Sequence, residues 1–472
     1  MNQVIIGRRD EIRILDRLLQ STNPELLAIY GRRRIGKTYL IRTHYHKHIV
    51  FSMTGQYNGK TREQLANFAQ QLNEYFPKKK IMLAPESWQE AFNNLRECLD
   101  SIEGSAKKVI FFDELPWLDN HKSGFLPAFG YFWNIYADRR RDLLIVICGS
   151  AASWIIDKVV NNKGGLHNRI TQRIRLLPFD LRETSDYLQH RNIQLDHYQI
   201  LQLYMVLGGI PAYLNAVERG LSAEQNIEKI CFSKDGALVN EFGNLYSALF
   251  NNPDRHIHVI RALAQKNKGL TRSQILSGGK LLTGGAATTV LTELEESGFI
   301  QRIYPYGKKE KDSLFRLADE YSLFYLKFME KAGEQRPWQT SAYKAWCGYA
   351  FENICFRHIH QIKNALQIGG VHTSISSWLK PGKGKNNGAQ IDLIIDRADH
   401  CINICEMKFS GGPFVIDKKY AEVLQNKMLA FREATETRKT LFLTFISTYG
   451  VVDNEYRARR VDAEVTMELL FD

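Results

Sequence analysis

Gly31-Arg32-Arg33-Arg34-Ile35-Gly36-Lys37-Thr38 follows the apolar run at residues 26–30 and precedes Tyr39-Leu40-Ile41, the apolar start of a helix. The octapeptide fits G-x-x-x-x-G-K-[ST] in full and stands where that pattern carries meaning, between a strand and a helix. Its chemistry needs these residue types. Backbone N–H groups that curl round a phosphate need glycine at the bends, and a lysine reaches the β and γ oxygens. A threonine hydroxyl ligates magnesium, while the following helix turns its positive end to the anion. Residues 31–38 are therefore the candidate loop for ATP with Mg2+, with Thr38 a metal ligand and Lys37 both binding and catalytic.

Such a loop needs a second half on another buried strand. Lys108-Val-Ile-Phe-Phe-Asp113-Glu114 is an apolar run ending in two acids. Asp113 would hold magnesium through water, and Glu114 would orient and deprotonate the attacking water; the same pair could otherwise cap a helix. A further apolar run at residues 143–148 closes on Gly149-Ser150. Ser150 has two readings, a polar sensor of the γ-phosphate or a helix cap. Strands are also expected at residues 49–53 and 174–178, with helical patterns between them. Alternating β and α predicts a parallel, doubly wound sheet that binds nucleotide at the carboxyl ends of its strands.

In order along the chain stand Ile6-Gly7-Arg8-Arg9-Asp10-Glu11, the arginine-rich loop 31–38, Asp113-Glu114 and Gly149-Ser150. This series resembles the AAA+ group of P-loop ATPases, and more narrowly the archaeal-type ATPase family of archaea and bacteria. Leu207-Gly-Gly-Ile-Pro211-Ala-Tyr-Leu214 is similar to that family's helical lid, so the resemblance covers roughly residues 1–250. It implies a homo-oligomer in which a neighbour's arginine completes the site. Arg169 in His167-Asn-Arg-Ile170 matches best, with Arg139, Arg140 and Arg141 competing. After Gly208-Gly209-Ile210-Pro211 the next arginine is Arg219, a departure from the usual second sensor of the lid.

The whole chain has 472 residues, a size for two to four domains. With 44% hydrophobic and 24% charged residues it is neither disordered nor collagen-like. Sixty-three Lys and Arg against 51 Asp and Glu give +12, which suits a polyanionic partner such as nucleic acid. No stretch approaches 18 consecutive apolar residues, and the first ten residues do not read as a signal peptide, so a cytoplasmic protein without a membrane partner is expected. Seven scattered cysteines with no C-x-x-C indicate reduced thiols.

Residues 254–264 are helical by pattern, Thr271-Arg-Ser-Gln-Ile-Leu276 reads as an N-capped short helix, and residues 285–298 as a longer one. Two strands, 299–304 and 313–317, then flank the polar tip Pro305-Tyr-Gly-Lys-Lys-Glu-Lys-Asp312. This order resembles the winged helix-turn-helix that follows the ATPase module in the same family. In its DNA-binding version the helix from Gly285 would enter the major groove and Lys308, Lys309 and Lys311 would meet phosphate. That helix carries Glu293, Glu295 and Glu296 and no Lys or Arg, so docking of a protein partner is an equal reading.

Residues 331–338 read as a linker to a helix running from Ser341 through Ile362, with Glu352 on a half-buried face. Ile391-Asp392-Leu-Ile-Ile-Asp396 and Cys401-Ile-Asn-Ile-Cys-Glu406-Met-Lys408 then form a hairpin. Alternation puts Glu406 and Lys408 on one face, and a register with Ile394 opposite Ile404 sets Asp392 across from Glu406, their Cβ atoms about 5 Å apart. Two carboxylates so close repel unless a cation lies between them, which makes them candidate ligands for magnesium. Lys408 could orient water or stabilise a pentavalent phosphate. This D-x(13)-E-x-K arrangement resembles the PD-(D/E)XK nuclease superfamily, whose domain often ends the ATPase family above. The resemblance implies a restriction-endonuclease-like α/β domain over about residues 340–472 with Asp392, Glu406 and Lys408 as the catalytic core. It makes Glu352 the acid of the opening helix and gives the helix 420–434, with Gln425 and Lys427, a supporting role. No proline precedes Asp392. The bland alternative is a surface salt bridge on an inactive relic. The basic loop 379–388 would grip substrate or simply be solvated.

The expected division is a P-loop core at 1–180, a helical lid at 181–252, a winged helix at 253–330 and a nuclease-like domain at 338–472. Two functions follow: an ATPase driving a magnesium-dependent nuclease on DNA, or a nucleotide-controlled regulatory or scaffolding switch. Of His44, His46 and His48 only His44 and His48 would share a helix face, and the segment lies between the helix of the phosphate loop and the next strand, so no metal is expected there. The pairs His256/His258 and His358/His360 lack acidic or cysteine partners at ligand spacing and are read as core or surface packing.

Overall fold

The computed structural model describes residues 4–79, 83–120, 122–150, 154–160, 168–250, 252–266, 268–277, 284–331, 336–382 and 388–472. His167, half of the expected linker (332–335) and the centre of the basic loop (383–387) lie outside them. The chain divides into two compact units, Met1–Pro178 with Leu249–Asn251 and Phe179–Ala248 with Asn252–Asp472.

The first unit is built on a five-stranded sheet of β1 (Glu25–Tyr30), β2 (Ile49–Thr54), β3 (Lys108–Asp113), β4 (Leu143–Gly149) and β5 (Gln172–Arg175). All pairings are parallel, in the order β2-β3-β4-β1-β5. β3 and β4 are buried along their whole length, as continuous Val, Ile, Leu and Phe runs demand when both faces are covered. One face packs on the helices Thr61–Tyr75, Trp88–Asp100 and Phe125–Ile135 through interlocked rings, Trp88 meeting Phe125 edge-on at 4.8 Å and Phe92 stacking on Phe132 at 5.1 Å. β4 lies between β1 and β3, and Tyr30 pairs with Gly149. The three loops that follow these strands therefore open side by side.

β5 starts two residues earlier than the expected 174–178 and stops at Arg175. It is an edge strand with three of four residues at least partly exposed, so polar Gln172 and Arg173 belong to it while the apolar pattern is shifted toward Leu176.

The second unit opens with helices Leu181–His190 and His197–Leu207, capped by Asp180 and Asp196. Its sheet has eight strands in the order β13-β12-β11-β10-β9-β7-β8-β6. They are β6 (Leu270–Thr271), β7 (Ile300–Pro305), β8 (Leu314–Leu317), β9 (Thr373–Lys380), β10 (Ala389–Arg397), β11 (Cys401–Lys408), β12 (Thr440–Ser447) and β13 (Ala463–Thr466). The middle segment's hairpin, β7 with β8, is thus continuous with the C-terminal sheet: β7 runs parallel to β9, Tyr304 opposite Ser376 and Pro305 opposite Ser377. Tyr306 seals the join. Its N–H donates to the Ser377 carbonyl at 2.8 Å and its ring lies 5.0 Å from that of Phe431. Of the expected polar tip, Gly307 to Lys311 stay exposed, Lys308, Lys309 and Lys311 among them.

The helix expected from Ser341 through Ile362 is two, Ser341–Arg357 and Ile359–Ala365. The break is at His358, whose ring is buried between the carbonyl of Ile354 and the N–H of Leu181. Beyond β11, helix Lys418–Thr435 covers the sheet with Leu424 and Phe431, against Ile394, Ile404 and Phe445.

Candidate functional site

Gly31 ends β1 with φ +147°, and a Cβ there would overlap the Leu176 carbonyl oxygen and lie 2.7 Å from Ile35 Cδ1. Gly36 precedes the helix Lys37–His44 with φ +92°. Both glycines are conformational requirements of the loop. Arg32, Arg33, Arg34 and Ile35 form the body of the loop, with Arg34 itself at φ +69° and the Arg33 guanidinium 6.0 Å from the Trp117 ring. Lys37 is buried and its Nζ donates to the carbonyls of Gly31 and Arg32, each at 2.8 Å, and to Ser150 Oγ at 3.3 Å. Burial lowers its pKa, opposed by Cys148, Glu114 and Asp113. An ammonium held that way, with poor solvation of its own, has much to gain from a phosphate oxygen.

Thr38 Oγ1 donates to Asp113 Oδ2 at 2.9 Å. The two oxygens form a hard donor pair that fits magnesium. Glu114 stands in the left-handed region, φ +47°. Its carboxylate accepts the Ser150 N–H at 3.0 Å and the Ser150 hydroxyl, so Ser150 joins the acid to the lysine. All these groups sit at the carboxyl ends of β1, β3 and β4.

Sequence reasoning missed the role of Arg8, quoted above only as a landmark. It is 5% exposed, and its guanidinium donates to Leu177 O at 2.7 Å and Ile35 O at 3.2 Å, gripping the phosphate loop from behind. The available signal was an arginine next to Gly7 before an acidic helix start. Among the competing arginines, Arg140 is tied to Asp142, Asp100 and the Tyr136 hydroxyl, a network that holds the Asp142 carboxyl far below its ordinary range. Arg169 is 43% exposed and 3.7 Å from Asp138.

A second polar cluster lies in the other unit. β10 and β11 pair antiparallel with Ile394 opposite Ile404 and Leu393 opposite Cys405, so Asp392 and Glu406 come next in register. On its other side β10 shifts register against β9 between Ile391 and Ile394, a bulge that re-aims Asp392. Asp392 accepts from Gln390 Nε2. Glu406, 8% exposed, accepts from Lys427 Nζ at 2.7 Å and from the Tyr420 hydroxyl, and pairs with Lys408 Nζ at 2.9 Å. Burial alone would raise the Glu406 pKa; Lys408 and Lys427 outweigh it and hold the group below its ordinary value. Glu352 behaves oppositely. Burial and then the Asp392 charge push it up to about 7, against Arg316 and Lys408. Among the described residues no three His, Cys, Asp or Glu side chains gather as a metal-binding group. Asp392 and Glu406 supply two hard oxygen donors, and the lysines stand where a cation's charge would act. Tyr420 was not foreseen as a partner of Glu406, because a tyrosine fourteen residues away on a helix gives no local signal.

His256 is buried, as a packing residue is, and has an acidic partner that sequence spacing does not show: its Nε2 lies 2.6 Å from Glu293 Oε2, 37 residues away on helix Gly284–Glu296. His44 likewise meets Asp16 at 3.1 Å. Spacing along one helix could not reveal either partner.

Residues 6–217 match the family model described as an ATPase domain predominantly from Archaea. That stretch is an ATPase domain of the archaeal type. An uncharacterised protein of Methanocaldococcus jannaschii is 25% identical over 402 residues, 83% of this chain and 84% of that protein, so the likeness runs well past the ATPase domain. A Walker-type ATPase of Pyrococcus abyssi superposes with a TM-score of 0.51 at 20% identity, covering 69% of this chain and 96% of its own, and shows a shared fold. The ORC2 protein of Aeropyrum pernix, solved as ADPNP–ADP complexes, gives 0.44 at 14% identity over 69% of this chain and 93% of its own. Among the described residues no helix is long and apolar enough to cross a membrane.

Proposed function

We propose that this chain hydrolyses ATP with Mg2+ at residues 31–38, Asp113, Glu114 and Ser150, and that turnover drives a nuclease segment, residues 338–472, acting on DNA. The observation that carries the second half is the meeting of Asp392, Glu406 and Lys408 on adjoining strands, with Glu352 facing them from the neighbouring helix. Magnesium there would take Asp392 and Glu406 as protein ligands and supply an activated water. Lys408 places a cation beside Glu406, suited to the charge that develops on phosphate during displacement. At the nucleotide site Glu114, braced by Ser150, orients the attacking water and Lys37 meets the γ-phosphate.

Residues 253–330 fit a winged helix. Of the acids that count against DNA binding, Glu293 pairs with His256 and Glu295 with Arg302 at 2.9 Å, while Thr288, Thr289 and Thr292 of the same helix are exposed. The second reading, a nucleotide-controlled switch with a nuclease-like domain that does not cut, is favoured by the grip of two lysines and a tyrosine on Glu406.

Incubating the full chain with labelled single- and double-stranded DNA, Mg2+ or Mn2+, and ATP decides between them. Cleavage that Glu406→Ala abolishes while ATP turnover persists supports the nuclease, and loss in Lys37→Ala as well ties it to ATP. Intact ATP turnover without cleavage in any condition supports the switch.

A further inference from the structure

Arg316 on β8 is 6% exposed although it carries a full charge between Phe315 and Leu317. A guanidinium is tolerated in such a place only when its faces are packed and its charge is answered. Its faces lie against two rings of helix Ser341–Arg357, Cζ being 5.2 Å from the centroid of Tyr349 and 5.1 Å from that of Phe356. Its charge is answered by Glu352 of that helix, Nη2 to Oε2 3.5 Å, the one acidic ion-pair partner it has among the described residues. The helix also holds the strand's main chain: Asn353 Nδ2 donates to Leu317 O at 3.3 Å and Arg357 Nη2 to Ala318 O at 2.8 Å.

Glu352 faces Asp392 and Glu406, which repel its ionised form, and Arg316 and Lys408, which favour it. Of the two cations, Lys408 is already paired with Glu406. Arg316 is the one committed to Glu352, and it comes from outside the C-terminal segment.

We propose that Arg316 is a positioning residue for the cluster of Glu352, Asp392 and Glu406: the hairpin of the middle segment lends the cation that fixes the Glu352 carboxyl group, so the cluster is complete only with β8 docked on helix Ser341–Arg357. Its consequence for cleavage rests on the nuclease reading, whereas the contact itself does not. A ligand that pries the hairpin from the helix would withdraw that cation and switch the cluster off, which joins events on the middle segment to the chemistry of the last.

The test uses the full chain with Arg316→Met, Arg316→Lys, Glu352→Gln and the Met/Gln double variant. The first readout is hydrogen exchange of helix Ser341–Arg357 at pH 8. Arg316→Met is expected to raise the helix opening constant about tenfold and to add little on a Glu352→Gln background, since residues in direct contact are not additive; Arg316→Lys keeps most of the protection. Additive effects of the two changes overturn the proposal, whatever the DNA assay gives. The second readout is the cleavage assay above, where Arg316→Met is expected to lower kcat at least tenfold with KM nearly unchanged and lysine to restore part of it. Unaltered kcat in Arg316→Met, in a protein that cuts DNA, also overturns it. Coupling by exchange in a protein that cuts no DNA supports the positioning role and refutes the nuclease reading instead. Should the methionine variant fail to fold, the same comparison is made with lysine, which keeps the charge and loses the forked geometry.

Discussion

Acid should loosen the second unit at His358, and replacing that residue by glutamine isolates the effect. The ring is fully buried, with Nε2 accepting the Leu181 N–H at 3.0 Å and Nδ1 2.8 Å from the Ile354 carbonyl. Only the neutral tautomer with the proton on Nδ1 serves both, because an imidazolium would set N–H against N–H. Burial holds its pKa down to about 4, from an ordinary 6.5. The unfolded chain therefore takes up its proton near pH 6.5 and the folded chain only near 4. The contribution is fully present above 6.5 and is lost as pH falls toward 4. A difference of 6.5 − 4 = 2.5, at about 1.4 kcal/mol for each, gives roughly 3 kcal/mol as an upper bound. His358→Gln should cost about 1–2 kcal/mol at pH 7 through disturbed hydrogen bonds. It does not titrate, so the gap to wild type should close as pH falls and reverse before pH 4. Urea unfolding from pH 8 to 4, followed by hydrogen exchange in the peptide containing Leu181, measures this. A gap that stays constant across that range refutes the assignment of the proton.

Gly31→Ala should abolish nucleotide binding, measured by equilibrium dialysis with labelled ATP, because the new Cβ meets the Leu176 carbonyl and φ +147° is foreign to alanine. Gly220→Ala, at a positive φ with open space round it, is the control and should cost about 1 kcal/mol of stability with binding retained. Arg140→Ala should lower the melting temperature by a few degrees, since it breaks the network of Asp100, Tyr136 and Asp142. Arg169→Ala should leave melting unchanged and, if a second copy supplies that arginine, reduce ATP turnover at least tenfold with ATP binding intact. The reverse pattern would exchange their roles.

The nucleotide loop was legible because its parts are local: glycines, lysine and threonine lie within eight residues, and the buried strands before Gly31, Glu114 and Gly149 declare themselves as unbroken apolar runs. The hairpin register of β10 and β11 could also be worked out, since it follows from where the isoleucines must face. What stayed hidden depends on distant partners. Nothing near Arg8 says that its carbonyl acceptors are at 35 and 177, nothing near Glu293 points to His256, and nothing in β7 foretells that it pairs with β9. The bulge at Asp392 escaped for another reason: it is defined by the neighbour strand, and Ile391 and Ile394 both look like core residues whichever way the chain is counted. Polar edges such as β5 blur where apolar periodicity is the signal, hence its displaced ends.

The join between β7 and β9 has a practical and an evolutionary consequence. Parallel pairing of two segments some seventy residues apart makes the boundary near residue 335 a seam in the chain and not in the sheet. Cutting the polypeptide there would strip hydrogen-bonding partners from both new margins and bare Tyr306, Phe431 and Trp378, an invitation to pair with another molecule. The two C-terminal segments should therefore be inherited, exchanged and lost together, and genes that swap one of them alone should be found only where the strand at that margin has been replaced by a charged or shortened one.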